Sequence, residues 1–127
     1  MRRGTNGGVT ALGLAMSALG GLFVGGLFAA ASYLAPGASR PAVAAQALGV
    51  AGVGLASGLA GSLVDSALGA TVQFSGYDVR RRKVTSRPGD HVVRISGSHL
   101  LDNNAVNLVS ASATAALSAA ACVRLFC

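Results

Sequence analysis

The chain has 127 residues, of which 52% are apolar and only 11% are charged. Ordinary soluble domains carry about 25% charged residues, and a short domain leaves much of its chain exposed to solvent. Four acidic and ten basic residues are therefore too few to cover a water-facing surface. The composition excludes an ordinary soluble domain and favours a Gly/Ala-rich helical bundle in lipid, where small residues let helices approach closely.

Two long uncharged stretches open the chain. Residues 9–35 carry no formal charge and end at Pro36. Residues 42–64 are also uncharged, and we expect this helix to continue past Asp65 to residue 72. At 1.5 Å per residue, each helix is long enough to cross the ~30 Å hydrocarbon core of a bilayer.

Glycine pairs four residues apart occur in both stretches. Gly21 and Gly25 form one GxxxG motif, and Gly54 and Gly58 form another. Each pair lies on one helical face, which predicts a close helix crossing. Packing within one chain is the preferred interpretation, and self-association of two chains is the alternative.

Residues 74–104 have a different, polar character. They contain six basic residues and several Gly, Pro and Ser turn signals, with one candidate strand at 91–95. Residues 105–123 then form a third, Ala- and Ser-rich candidate span. The prediction is an all-α polytopic membrane protein: a single membrane domain, 1–127, with helices near 9–35, 42–72 and 105–123 and a basic loop at 74–104.

Basic residues predict the orientation of the chain. They collect on the cytoplasmic side of membrane proteins, and Arg2, Arg3 and the basic loop would all lie there if both the N-terminus and residues 74–104 are cytosolic. The run Arg80-Arg81-Arg82-Lys83 serves as this topology signal in the preferred interpretation. The alternative is contact with anionic lipid headgroups. Nucleic acid is not expected as a partner, and the sequence does not identify the membrane.

Three polar motifs border the predicted spans: GTNGGVT at residues 4–10, GSLVDSALGATVQ at 61–73 and LDNNAVNL at 101–108. In this order and spacing they resemble the transmembrane protein 19 family, which also includes the plant phytyl-phosphate kinase of vitamin E synthesis. Members of that family are usually longer, with further spans before the first motif. The chain therefore resembles the C-terminal part of such a protein, as a truncated form or an incomplete gene model.

The resemblance implies a multi-pass membrane protein and, as one alternative, an isoprenoid-alcohol (phytyl) phosphate kinase. Under that hypothesis Asp65 and Asp102 are catalytic and hold Mg²⁺. A second group would bind phosphate, and a third would form a polar cluster. The phosphate group comprises Arg3, Asn6, Gly7 and Gly8, and the cluster comprises Ser62, Gln73, Asn103, Asn104 and Asn107.

Each of these residues also has a structural interpretation. Asp65 has two equally supported interpretations. A carboxylate buried in the membrane needs a partner or a cavity, which would make Asp65 part of a site; alternatively, Asp65 lies in the headgroup region and marks the end of the helix. Asn103 and Asn107 share a helical face, and hydrogen bonds between helices explain them better than ligand contact. The segment Thr5–Gly8 forms either a turn or a backbone nest for phosphate. A transporter, with polar residues lining a path, remains a further alternative.

Overall fold

The computed structural model describes residues 4–126, which form three helices and three strands. Helix α1 covers Ala11–Leu34, α2 covers Arg40–Val72 and α3 covers Asn103–Phe126. All three are long and apolar enough to cross a membrane. The expectation of three candidate membrane-spanning helices is confirmed.

The ends of the helices follow from local sequence signals. After α1, Gly37 adopts a φ of 78°, which a residue with a side chain rarely adopts. Pro41 lies in the first turn of α2, where its missing N–H costs no hydrogen bond. Asp102 caps α3, because its carboxylate accepts a 2.8 Å hydrogen bond from the Ala105 amide.

Residues 74–104 contain a small antiparallel sheet, so the all-α prediction is wrong in this part. Strands β1 (Ser75–Asp78), β2 (Lys83–Thr85) and β3 (Val92–Ser96) are ordered β2-β1-β3. The register between β1 and β3 shifts between Ser75 and Gly76. Only β3 overlaps the strand expected from sequence, because β1 and β2 are too short to show alternating hydrophobicity and are held by backbone pairing. The protein is mostly helical with a small sheet.

Contacts divide the chain into two compact units. Residues 4–10 and 63–112 form the polar unit, which contains the sheet. Residues 11–62 and 113–126 form the helical unit.

Glycines bring α1 and α2 together inside the helical unit. A Cβ atom added at Gly21 would collide with the Gly54 carbonyl, and one added at Gly58 would collide with the Ser17 carbonyl. Gly25 lies equally close to Val50 and Ala51. Both GxxxG motifs are therefore used for packing within the chain, as preferred from the sequence.

Large apolar side chains of the helices remain exposed. Leu48 is 87% exposed, Leu34 76% and Leu12 74%. Water would oppose this arrangement, because exposed apolar area carries a free-energy cost of about 25 cal/mol per Å². Lipid removes that cost, so the surface of the helices fits the bilayer that the composition predicted.

Candidate functional site

The segment after β3 joins the end of α2 to the start of α3 within the polar unit. The Ser98 amide donates to the Thr71 carbonyl at 2.9 Å, and the Leu101 amide donates to the Val72 carbonyl at 3.0 Å. Gly97, with φ of 67°, lies directly against the Gln73 carbonyl. These contacts satisfy carbonyls that a helix end leaves unpaired, and they place the second sequence motif beside the third.

Side chains of those two motifs meet across this junction. Gln73 is only 7% exposed, and its amide Nε2 donates to Asn103 Oδ1 at 3.4 Å. The bond is long, but it links the last residue of the second motif to the first turn of α3. Asn103 is thereby connected to α2 as well as to its own helix.

Asp65 contacts α3 at Ser110, seven residues beyond Asn103. The Ser110 hydroxyl lies 3.1 Å from Asp65 Oδ1 and 3.1 Å from the Asn107 carbonyl oxygen. Ser110 is 5% exposed, so this contact is shielded from solvent. Asp65 is therefore separated from Asn107 by one hydroxyl group. Ser110 contacts the backbone carbonyl of Asn107 and not its side chain. Asn107 itself is an exposed residue.

The first motif packs against the second motif and the start of the sheet. The Asn6 amide donates to Ser75 Oγ at 3.0 Å, and Asn6 Nδ2 donates to the Phe74 carbonyl at 3.0 Å. Gly7, with φ of 78°, leaves no room for a Cβ beside Ala70 of α2. These contacts fix the segment onto the start of the sheet and the end of α2.

Three donors of the first motif, on Asn6 and Gly8, are engaged by the protein itself. The Gly8 amide donates to the Thr5 carbonyl at 3.3 Å, which closes a turn, and both donors of Asn6 bond to residues of the polar unit. These three donors hold the segment in place, and phosphate binding by Asn6, Gly7 and Gly8 stays a prediction. Arg3, the fourth predicted phosphate ligand, lies outside the described residues.

A cavity of about 270 Å³ opens in the polar unit beside the junction. Four of the predicted site residues border it, together with Phe74, Leu101 and three polar residues of the loops. The predicted residues are Gln73, Asp102, Asn103 and Asn104, and the additional polar residues are Ser86, Arg87 and His99. Ser86 also borders a smaller cavity of about 190 Å³ next to Asn6.

The two predicted catalytic acids do not share one position. Asp102 borders the cavity, whereas Asp65 contacts Ser110, which follows Asp102 by eight residues on the same helix. Eight residues correspond to about 12 Å of helix rise, so the two acids meet α3 at different levels, and a shared Mg²⁺ site stays a prediction. No group of three or more His, Cys, Asp or Glu residues suited to a metal exists within residues 4–126. Ser62 belongs to the helical unit.

The sequence did not single out Ser110, Arg87 or His99. Ser110 lies in an Ala-rich helix that also holds Ser112 and Ser118, and no sequence pattern distinguishes it from them. Arg87 contributes to the sequence analysis only as one of the six basic residues of its loop, and no motif includes His99. Their positions depend on how the sheet folds, and no periodic pattern records that fold.

Comparisons with known proteins place the chain in a family. The model of the family described as "Integral membrane protein DUF92" matches residues 1–115. "Protein PGR" of Arabidopsis thaliana is 43% identical over 126 residues, which cover 99% of this chain but 43% of that protein. The chain thus spans less than half the length of this relative. No solved structure matches significantly. Together with the three polar motifs, these matches show that the chain belongs to the integral membrane protein DUF92 family, the family of transmembrane protein 19.

Proposed function

We propose that this chain forms the catalytic part of an isoprenoid-phosphate kinase embedded in a membrane. In this reaction a terminal phosphate oxygen of the prenyl phosphate attacks the γ-phosphorus of a nucleoside triphosphate. The bond from the γ-phosphorus to its bridging oxygen breaks, and that oxygen keeps the electron pair. The products are a prenyl diphosphate and a nucleoside diphosphate.

The observation that carries the proposal is the meeting of the three family motifs in one polar unit. Asn6 bonds to the start of the sheet, Gln73 bonds to Asn103, and Asp65 contacts the face of α3 that holds Ser110. Phosphoryl transfer depends on positioning and on neutralising charge. A cavity bordered by amides and a carboxylate offers both kinds of interaction.

Asp102 is the residue best placed to hold Mg²⁺ in this reaction. One or two carboxylates together with substrate phosphates are the usual ligands of Mg²⁺ in such sites. Asp102 borders the cavity and uses Oδ1 to cap α3, so its position is fixed. Asp65 would then act at a second position, by orienting α3 through Ser110.

A transporter has weaker support. The helical unit holds an interhelical Ser57–Ser118 hydrogen bond of 2.6 Å, but a single hydroxyl pair is a common packing feature of membrane helices.

The test measures product formation by the purified full chain in lipid nanodiscs. The chain would be incubated with Mg²⁺, a labelled nucleoside triphosphate and either a prenyl phosphate or the corresponding alcohol. Mass spectrometry should detect the prenyl diphosphate with the phosphate substrate. Absence of this product with each of the common nucleoside triphosphates would contradict the proposal.

Variants connect the activity with the two acids. Asn caps helices about as well as Asp does, so Asp102→Asn should keep the unfolding temperature of the chain but lose at least about 100-fold in rate, typical of removing a charge-stabilising group. Asp65→Asn should lower the rate less. Asp90→Asn, in the loop before β3, is the matched control and should leave the rate unchanged. Full activity of Asp102→Asn would contradict the assigned role.

A further inference from the structure

We propose that Arg87 and His99 bind a phosphate group in the cavity of the polar unit. Neither residue belongs to a family motif, and both border this cavity together with Ser86 and the amides of Gln73, Asn103 and Asn104. The proposal deepens the proposed function and rests on it for one point only, namely that the phosphate is carried by the prenyl acceptor.

Arg87 brings a positive charge that the protein itself does not neutralise. Its backbone amide donates to Thr85 Oγ1 at 3.2 Å, and Pro88 follows it, so the backbone leading into the cavity wall is restrained. Within residues 4–126, the ion pair present is the one between Arg81 and Asp78. In the same part of the chain, no carboxylate lies within 4.0 Å of the Arg87 guanidinium. A guanidinium in this state matches the paired oxygens of a phosphate.

His99 is held in place by an aromatic neighbour. Its ring meets Phe74 edge to face, with ring centroids 6.3 Å apart and an interplanar angle of 63°. Phe74 is 8% exposed, so this contact anchors an exposed imidazole on a buried ring. The imidazole therefore offers an N–H donor to the same cavity without needing a large rearrangement.

The remaining polar groups also favour an acceptor-rich ligand. Asn103 Oδ1 accepts a hydrogen bond from Gln73 Nε2. The Nδ2 group of Asn103 is not used in that bond. The Asn104 amide and the Ser86 hydroxyl add further donors. Asp102 is the single carboxylate on the cavity wall, and its Oδ1 is occupied by the Ala105 amide.

The size of the cavity limits what part of a ligand it can hold. Pockets for whole drug-sized molecules measure roughly 300–1,000 Å³, whereas this cavity measures about 270 Å³. It suits a phosphate headgroup and its bound water better than a complete nucleotide. We therefore assign it to the phosphate of an amphiphile whose hydrocarbon chain lies elsewhere.

Binding by the full chain in phosphatidylcholine nanodiscs tests the proposal. Labelled farnesyl monophosphate is the probe, with farnesol, inorganic phosphate and ATP as competitors. Arg87→Gln should weaken farnesyl monophosphate binding by at least about tenfold, as expected for losing a charged hydrogen bond, and should leave farnesol binding unchanged. Arg87→Lys should restore part of the loss. Arg94→Gln, on exposed β3, is the matched control and should bind like the unmodified chain.

The outcomes separate the two proposals. Binding of farnesyl monophosphate by Arg87→Gln at unmodified strength, with an unchanged unfolding temperature, would overturn the phosphate site even if the kinase reaction occurs. Weaker phosphate binding by this variant, in a chain that forms no prenyl diphosphate, would support the site and contradict the kinase. Loss of ATP binding alone would show that the cavity holds a nucleotide phosphate, which would overturn the assignment to the prenyl acceptor.

Discussion

Gly97 shows how one backbone conformation holds the polar unit together. It has a positive φ of 67°, and its α-carbon faces the Gln73 carbonyl so closely that a Cβ has no space. A side chain here would have to displace the end of α2. The family motifs at residues 73 and 101–104 depend on this junction, although Gly97 lies in neither of them.

We predict that Gly97→Ala destabilises the chain by about 2 kcal/mol or more, from the left-handed conformation together with overpacking. Gly89→Ala is the matched control, because an added Cβ would meet Val92 at an ordinary 3.5 Å. The measurement is the unfolding temperature in detergent. Equal temperatures for the two variants would refute the account of this junction.

Asp78 provides a pH-dependent contact in the hairpin between β1 and β2. The Arg81 amide donates to its carboxylate at 2.9 Å, and this hydrogen bond lowers the pKa of Asp78 below its usual 3.8. Because the folded pKa is depressed, the contribution to stability is present above the unfolded pKa and is lost as the pH falls through the folded value.

We predict that the amide resonance of Arg81, followed by NMR in micelles, shifts with a midpoint below pH 3.8. The shift reports loss of the charge-assisted hydrogen bond when Asp78 takes up a proton. Asp78→Asn should abolish this transition. A midpoint above that of a free aspartate would show that the carboxylate is not stabilised by the turn.

At the scale of elements, the helices and the sheet differ in how well the sequence predicts them. Long uncharged runs indicate α1 and α2 directly, since length and hydropathy are enough for a membrane span. β1 and β2 contain three to four residues each, and β2 begins with Lys83, the last residue of the basic run, so neither strand shows a hydrophobic alternation. Tertiary pairing forms these strands, and a single sequence does not display it.

The crossing of α1 and α2 yields a prediction with closely matched controls. Gly21→Ala should lower the unfolding temperature, because the new methyl group collides with the Gly54 backbone and overpacking costs about 1–3 kcal/mol. The neighbouring Gly20→Ala has open space around its Cβ and should have little effect. An unfolding temperature unchanged by Gly21→Ala would mean that the crossing is looser than described.

At the scale of the whole molecule, the orientation predicted from basic residues can be tested. The segment 74–104 carries six of the ten basic residues, and such loops stay on the cytoplasmic side. A glycosylation acceptor inserted near Pro88 should remain unmodified in microsomes, and one in an extended loop near Gly37 should be modified. Modification near Pro88 alone would reverse the orientation.

The candidate site was only partly predictable. The motifs supplied Gln73, Asp102, Asn103 and Asn104, which border one cavity, because the predicted topology puts the end of α2 and the start of α3 at the same membrane face. Arg87 and His99 reach the same cavity through loops around the sheet, and no spacing rule connects them with the motifs. Asp65 contacts α3 at Ser110 and Asp102 caps the start of α3, and their joint role stays a prediction.

The length of α2 has a consequence for how the proposed reaction would respond to its surroundings. Its 33 residues extend about 50 Å, well beyond the ~30 Å hydrocarbon core. Its polar end, from Asp65 onward, therefore fits the headgroup layer. Under the proposed function, a prenyl phosphate held there would stay in its leaflet and arrive by lateral diffusion. The rate should then follow the mole fraction of prenyl phosphate among the lipids, and adding inert lipid at constant total substrate should slow the reaction by surface dilution.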